Sequence, residues 1–255
     1  MTKEQLKRDS GNVYIYGKQP VSEALESGWP VREIIVRGRA EDDVSKSIVE
    51  KARARGIDVF FMGPRDFDSK YDRASQGVAA RVGQVGFKQL DGLLSEVPPQ
   101  QDPLFVALDG IQDPQNLGAI CRTSHAMGVH GLVIPRRRTA PLSEGAFKAS
   151  SGAVFYQSIC EVPNIHHFVQ WCRKNGVWVY GLDAGGEKGL WEMDFSGPVA
   201  LVVGSEGQGL SRLVRERCDF LVRIPMYGRI SSLNAGVACA MALYEVQRQR
   251  NNKSR

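Results

Sequence analysis

Four apolar runs constrain the fold of this chain more than anything else in it. They are Leu104–Leu108 (LFVAL), Gly131–Pro135 (GLVIP), Val177–Gly181 (VWVYG) and Val199–Gly204 (VALVVG). None alternates apolar with polar residues, as a half-solvated strand does. Near-continuous runs of this kind belong to strands covered on both faces, and such strands are usually parallel. Helix-like segments separate them, including PQNLGAICRTSHAMG, SEGAFKASSGA, NIHHFVQWCRKNG and LSRLVRERCD. Strand and helix in alternation predict an α/β unit with a mostly parallel sheet.

The part from Asn12 to Val85 also alternates, on a smaller scale. VYIYG, VREIIVRG, DVFFMG and GVAARV read as strands and QPVSEALES as a helix. EDDVSKSIVEKARARG reads as a helix with Val44, Ile48, Val49 and Ala52 on its apolar side and Gly56 as its stop. PRDFDSKYDRASQ is a short helical or irregular piece. The expected organisation is a lead-in over 1–11, a small α/β domain over 12–86, a linker over 87–103 and a larger domain over 104–255. The linker rests on the Pro- and Gln-rich stretch VPPQQDP that follows a short helix at Leu90–Glu96. The lead-in MTKEQLKRDSGN has no apolar core and reads as neither signal peptide nor anchor. No apolar run approaches the roughly 20 residues that a membrane-spanning helix needs.

Five cysteines, an odd number with no CxxC pair, argue for reduced thiols in a cytoplasmic protein and against a disulfide frame or zinc site. The four histidines show no metal-ligand spacing either. The formal net charge is +5, spread along the chain, which is compatible with a nucleic-acid partner without requiring one.

Three segments carry the polar residues of interest. GSEGQG places glycines at 204, 207 and 209, which is neither a dinucleotide fingerprint nor a Walker loop. It reads either as a turn needing positive φ or as a loop bringing its backbone close to a flat ligand, with Glu206 perched between glycines. IPMYGRISSLNAGVACA opens into a helix rich in Ala and Gly. Ser231 or Ser232 stands where a cap is expected, and capping accounts equally for Ser232 and Asn234. The small residues Ala235, Gly236, Ala238, Ala240 and Ala242 suggest tight helix packing, including packing across a dimer. In DPQNLGAICRTS, Asn116 fits a helix cap, and Arg122 reads from periodicity as a solvated arginine.

Taken together, DPQNLGAICRT, LVVGSEGQGLS and IPMYGRISSLNAGVACAMALYE resemble, in order and spacing, the three motifs of the SpoU (TrmH) family of RNA ribose 2′-O-methyltransferases, in the SPOUT class. GKQPVSEAL and QGVAARV resemble the L30e-like substrate-binding domain that many members carry. The two-domain form is most similar to bacterial enzymes that methylate a guanosine of 23S rRNA.

This resemblance implies a C-terminal α/β domain tied in a trefoil knot, S-adenosylmethionine as cofactor, an RNA substrate and a homodimer formed through the C-terminal domain. It implies that Arg122 activates the ribose hydroxyl, that Asn116 and Glu206 orient Arg122 and the ribose, and that Ser232 and Asn234 fix the loop or the nucleotide. The backbone of Gly204, Ile224 and Leu233 would hold the cofactor. Leu201, Val203, Gly209 and Met226 would complete its pocket. No metal is implied, because the leaving group of a sulfonium is already cationic.

Where the family motif reads SLNVSVA, this chain has SLNAGVA, with Ala235 and Gly236 as a local departure. Arg136, Arg137 and Arg138 read either as a solvated basic turn or as phosphate contacts. Alternatives are an enzyme acting on tRNA or another rRNA site, and a non-catalytic RNA-binding module. A Rossmann enzyme is disfavoured by the missing early GxGxxG.

Overall fold

A computed structural model describes residues 13–71, 75–83, 86–230 and 232–253. The expected lead-in over 1–11 and Ser231 lie outside the described residues. The chain forms two compact units. One takes the chain before Gly86 together with Leu142–Tyr156; the other takes Gly86–Pro141 and the chain from Gln157 onward.

The first unit begins with β1 (Val13–Tyr16), α1 (Lys18–Glu26), β2 (Val31–Arg37), α2 (Asp43–Ala54), β3 (Asp58–Met62), α3 (Pro64–Lys70) and β4 (Val78–Val82). The second contains α4 (Leu90–Ser95), β5 (Leu104–Asp109), α5 (Pro114–Ala126) and β6 (Gly131–Pro135). After α6 (Glu144–Ser150), which belongs to the first unit, come β7 (Ile159–Val162), α7 (Ile165–Lys174), β8 (Trp178–Leu182) and β9 (Lys188–Gly189). The chain ends with β10 (Val199–Gly204), α8 (Arg212–Arg215), β11 (Phe220–Arg223) and α9 (Ala235–Lys253).

In the first unit the sheet order is β1-β4-β2-β3, with β4 antiparallel to both neighbours and β2 parallel to β3. Asp42 starts α2: the Ser45 N–H donates to its carboxylate at 3.1 Å. Ile48, Val49 and Ala52 are buried as expected, but Val44 is exposed. It lies roughly 90° around the helix from the buried stripe of Ser45, Ile48, Val49 and Ala52. Residues 142–156, expected within the larger domain, pack here instead. The Trp29 ring meets Phe155 edge-on at 5.2 Å, and the Tyr156 hydroxyl donates to Glu23 at 2.7 Å.

The second unit holds a seven-stranded sheet in the order β7-β6-β5-β10-β8-β11-β9, and every pairing is parallel. The runs at β5, β6 and β10 are buried on both faces as their composition requires. The exception is Trp178, expected inside but half exposed at the start of β8, where its ring leans on Phe220 at 5.8 Å. One sheet face packs against α7, with Phe105 edge-on to both Phe168 and Trp171. Phe168 is fully buried, so Phe168→Ala would cost about 3–5 kcal/mol. On the other side α9 packs on β10 and on α5.

The stretch 87–103 is no free linker. Leu90 and Leu93 enter this core, and the Trp171 indole N–H donates to Asp91 at 2.9 Å. Two leucines one turn apart give α4 an apolar face that the Pro-rich context obscures in the sequence. No described helix is long and apolar enough to cross a membrane.

Strand β10 lies between β5 and β8, and its register sets Gly204 beside Asp109. The carboxyl ends of β5 and β10 are therefore level. The sheet runs from β5 toward β7 on one side and from β10 toward β9 on the other. In open α/β sheets, ligands bind in the crevice at such a reversal.

Candidate active site

The loop after β10 is closed on itself. Ser205 and Gly209 exchange backbone hydrogen bonds at 3.0 and 2.9 Å, and Gly207 and Gly209 take positive φ of 82° and 67°. A Cβ at Gly204 would stand 2.2 Å from the Gly209 carbonyl carbon, so only glycine lets the loop fold back over its own strand. The Ser211 N–H donates to Asp109 at 2.7 Å, which ties this loop to the end of β5.

Helix α5 is capped by Asp113, whose carboxylate accepts from the Gln115 N–H at 3.0 Å, with Pro114 in the first turn. This corrects the reading of Asn116 as the cap. Asn116 lies inside the helix, so its side chain is available for another partner. The Asn116 amide donates to Glu206 Oε1 at 2.9 Å. Asn234 donates to the same oxygen at 2.5 Å and to Asn116 Oδ1 at 2.8 Å. The Ala235 N–H points at that oxygen too, at 3.4 Å. Residues 90 and 118 positions apart in the chain thus meet on one carboxylate.

Asn234 has a second role. Its Oδ1 accepts from the Gly236 and Val237 N–H groups at 2.9 and 3.3 Å, which makes it the cap of α9 in place of Ser232. The Ala235–Gly236 departure falls at this turn. A Cβ on Gly236 would stand 3.1 Å from Asn234 Oδ1 and 3.5 Å from Ala119 of α5. The tighter of the two is the cap itself, so glycine leaves the Asn234 oxygen room to accept the first N–H groups of α9, which offsets its poor helix propensity.

Two cavities flank the loop. The first, about 540 Å³, is lined by Val203, Gly204, Glu206, Gly209, Val222, Ile224, Met226, Ser232, Leu233, Ala235 and Ala238, with Leu182, Asp183, Ala184 and Arg215 along another edge. The second, about 560 Å³, is more polar and is lined by Asp109, Gln112, Asp113, Asn116, Arg138, Glu206 and Gln208 among others. Glu206 faces both. An apolar-walled cavity with exposed loop backbone suits a flat, partly polar ligand of modest size.

The structure brings Asn116, Glu206, Ser232 and Asn234 to this place, and Val203, Gly204, Gly209, Ile224, Met226 and Leu233 to the first cavity. Leu201 is not at the cavity: it is fully buried in β10, paired with Val106 and Tyr180. Three residues before the strand end, it is too deep in the sheet to reach the crevice. Arg122 is exposed on α5 and lines neither cavity. Six residues beyond Asn116, it lies about 120° around the helix and about 9 Å along it.

Asp183 and Arg215 escaped the sequence reading. The signal for Asp183 was its place at the end of an apolar strand, where α/β proteins put ligand-binding groups. Burial pushes the Cys121 and Cys239 thiols up to about 12, so both stay protonated near neutral pH.

The family model described as "SpoU rRNA Methylase family" matches residues 103–244, and that described as "RNA 2'-O ribose methyltransferase substrate binding" matches 14–87. The chain is 38% identical over 239 residues to the 23S rRNA (guanosine-2'-O-)-methyltransferase RlmB of Coxiella burnetii (strain RSA 493 / Nine Mile phase I), covering 92% of this chain and 95% of that one. It is 37% identical over 239 residues to YacO of Bacillus subtilis (strain 168), provisionally named a TrmH family tRNA/rRNA methyltransferase, covering 93% and 96%. The crystal structure of the SpoU methyltransferase AviRb from Streptomyces viridochromogenes, in complex with the cofactor AdoMet, superposes with a TM-score of 0.82 at 30% identity, covering 98% and 94%. With both family models in place and such relatives along nearly its whole length, the chain belongs to the SpoU family and is an RNA methyltransferase that uses S-adenosylmethionine.

Proposed function

We propose that this chain methylates the 2′-hydroxyl of a guanosine ribose in 23S rRNA, as a cytoplasmic homodimer. The observation that carries the reading is the Glu206 carboxylate, held by Asn116 and Asn234 on the partition between an apolar-walled and a polar cavity. The RNA target is supported by the likeness to RlmB. A tRNA substrate is the second reading, supported by the name of YacO. Against a non-catalytic module stands the assembled Asn116–Glu206–Asn234 set, which a binding-only protein does not require.

S-adenosylmethionine, when bound, supplies an electrophilic methyl group on a sulfonium, and the first cavity fits it. Ile224, Met226 and Leu233 would flank its flat base, and the backbone at Gly204 and Leu233 would offer hydrogen bonds. The polar cavity, with Asn116 and Arg138, would take the ribose and a neighbouring phosphate. Glu206 lines both cavities, so it would help to set a bound ribose against a bound cofactor at a fixed place. A guanidinium stays protonated in proteins, so the part that the family likeness gives Arg122 is to stabilise developing negative charge on the ribose oxygen; lining neither cavity of its own chain, it would do so from the second protomer of the dimer.

The family-like trefoil knot is part of the same reading. It is supported by β10 lying between β5 and β8 while the loops after β10 and β11 line one cavity. The dimer is supported by Val237, Met241 and Tyr244, spaced four and three residues apart on α9 and all exposed.

Mapping 2′-O-methyl positions in total RNA from a deletion strain tests the substrate. Loss at one 23S rRNA guanosine is expected, and loss confined to tRNA would replace it with the second reading. Arg122→Ala should abolish transfer while S-adenosylhomocysteine still binds; near-normal turnover would remove Arg122 from the mechanism.

A further inference from the structure

One edge of the first cavity lies outside all three sequence motifs. Asp183 follows β8 and Arg215 ends α8; both line the cavity. Arg215 Nε stands 3.2 Å from Asp183 Oδ2, with the Asp183 side chain only 14% exposed and that of Arg215 48%.

The turn that carries Asp183 is tightly fixed. The Gly185 N–H donates to Asp183 Oδ1 at 2.8 Å. The Asp183 N–H donates to the Val222 carbonyl, and the Gly186 N–H to the Asp183 carbonyl, each at 3.0 Å. A Cβ at Gly186 would stand 2.8 Å from the Leu221 carbonyl oxygen, so the turn sits against β11 with no room to spare. The carboxylate is therefore preorganised at the cavity edge, and the guanidinium paired with it is half exposed.

Among the described residues lining this cavity, Asp183, Glu206 and Arg215 carry charge, and Arg215 is the single cation. Glu206 Oε1 is already the acceptor for Asn116 and Asn234. The cofactor ends in an amino acid, with an ammonium and a carboxylate on the same carbon. A carboxylate leaving water needs charged or N–H donors, and an ammonium needs acceptors. An Asp–Arg pair laid beside a zwitterion satisfies both charges at once. A ribose diol would use the carboxylate alone and offer the arginine, the single cation here, no negative charge to meet.

We propose that the Asp183–Arg215 pair grips the amino-acid end of S-adenosylmethionine, the ammonium on Asp183 and the carboxylate on Arg215. The inference rests on reading this cavity as the cofactor pocket.

Calorimetry on the full chain separates the two ideas. S-adenosylhomocysteine carries the amino acid; 5′-methylthioadenosine keeps base, ribose and sulfur but lacks it. Asp183→Asn and Arg215→Gln should each weaken S-adenosylhomocysteine by roughly tenfold or more, the size of one charge-assisted bond. They should leave 5′-methylthioadenosine within about twofold, a result that also reports an intact pocket. Equal weakening of both ligands, or of neither, overturns the pair's role. Ala238→Phe, a different wall of the cavity, tests the pocket itself: it should abolish both ligands, and unchanged binding of both would overturn the pocket reading whatever the pair does.

Discussion

Replacing Glu206 by glutamine tests the heart of the site. Two side-chain amides donate to Oε1, at 2.9 and 2.5 Å, and the Ala235 N–H at 3.4 Å adds little. A hydrogen bond to a charged group contributes about 1.5–3 kcal/mol and a neutral one about 0.5–1.5. Glu206→Gln keeps an oxygen but removes the charge, so each bond loses about 1 kcal/mol. The residue is exposed, and water screens part of that, leaving about 1–2 kcal/mol for the pair.

If Glu206 holds the site most firmly in the transition state, the single-turnover rate falls by about 5–30-fold, at 1.36 kcal/mol per tenfold. If part of the loss falls on the folded state, the melting temperature drops by a few degrees for a chain of this size. Rapid-quench methyl transfer with saturating protein measures the first, and a thermal melt the second. Adding Asn116→Ala to Glu206→Ala should then cost little more than Glu206→Ala alone, because both remove the same network. A wild-type rate in Glu206→Gln, or fully additive losses in the double variant, would refute the reasoning.

Arg138 lines the polar cavity, whereas Arg136 is engaged with Glu161 at 2.9 Å. Arg138→Ala should lower the slope of log affinity for RNA against log salt by roughly 1, more than Arg136→Ala does; an unchanged slope removes Arg138 as a phosphate contact. Met241→Glu, on the exposed stripe of α9, should convert a dimer to monomers in sedimentation, and a persisting dimer would move the interface elsewhere. His130 is half-buried, and its Nδ1 accepts from the Leu104 N–H at 3.0 Å. Burial, then the Arg250 guanidinium, holds its pKa below the usual imidazole range. A depressed pKa favours the neutral ring, so its contribution is full above about pH 6.5 and is lost as pH falls through the folded-state value. From pH 7 to 5 the unfolding free energy should fall by at most about 1.4 kcal/mol per pH unit from this group. His130→Gln should flatten that loss in melts across the range, and an unaltered pH profile would acquit His130.

The apolar runs, the glycine turns and the Gly56 stop were legible because each is a local pattern: burial on both faces or a positive φ. The three motifs could be paired only through resemblance, since nothing in periodicity links Asn116 to Glu206. Local reading failed where a neighbour in space decided the outcome. Asn116 fits a cap until Asp113 is seen to take that place. Leu90 and Leu93 look like linker residues until α7 and the sheet cover them. Leu201 belongs to a motif yet lies too deep to touch a ligand.

By itself, then, the sequence determined which segments become buried parallel strands and where the chain must turn on glycine. The tertiary structure alone decided that β10 lies between β5 and β8, setting Gly204 level with Asp109. That register brings Glu206 to Asn116 and opens a cavity toward Asp183 and Arg215. Strand order is a property of packing between distant segments, and residue spacing along the chain does not encode it.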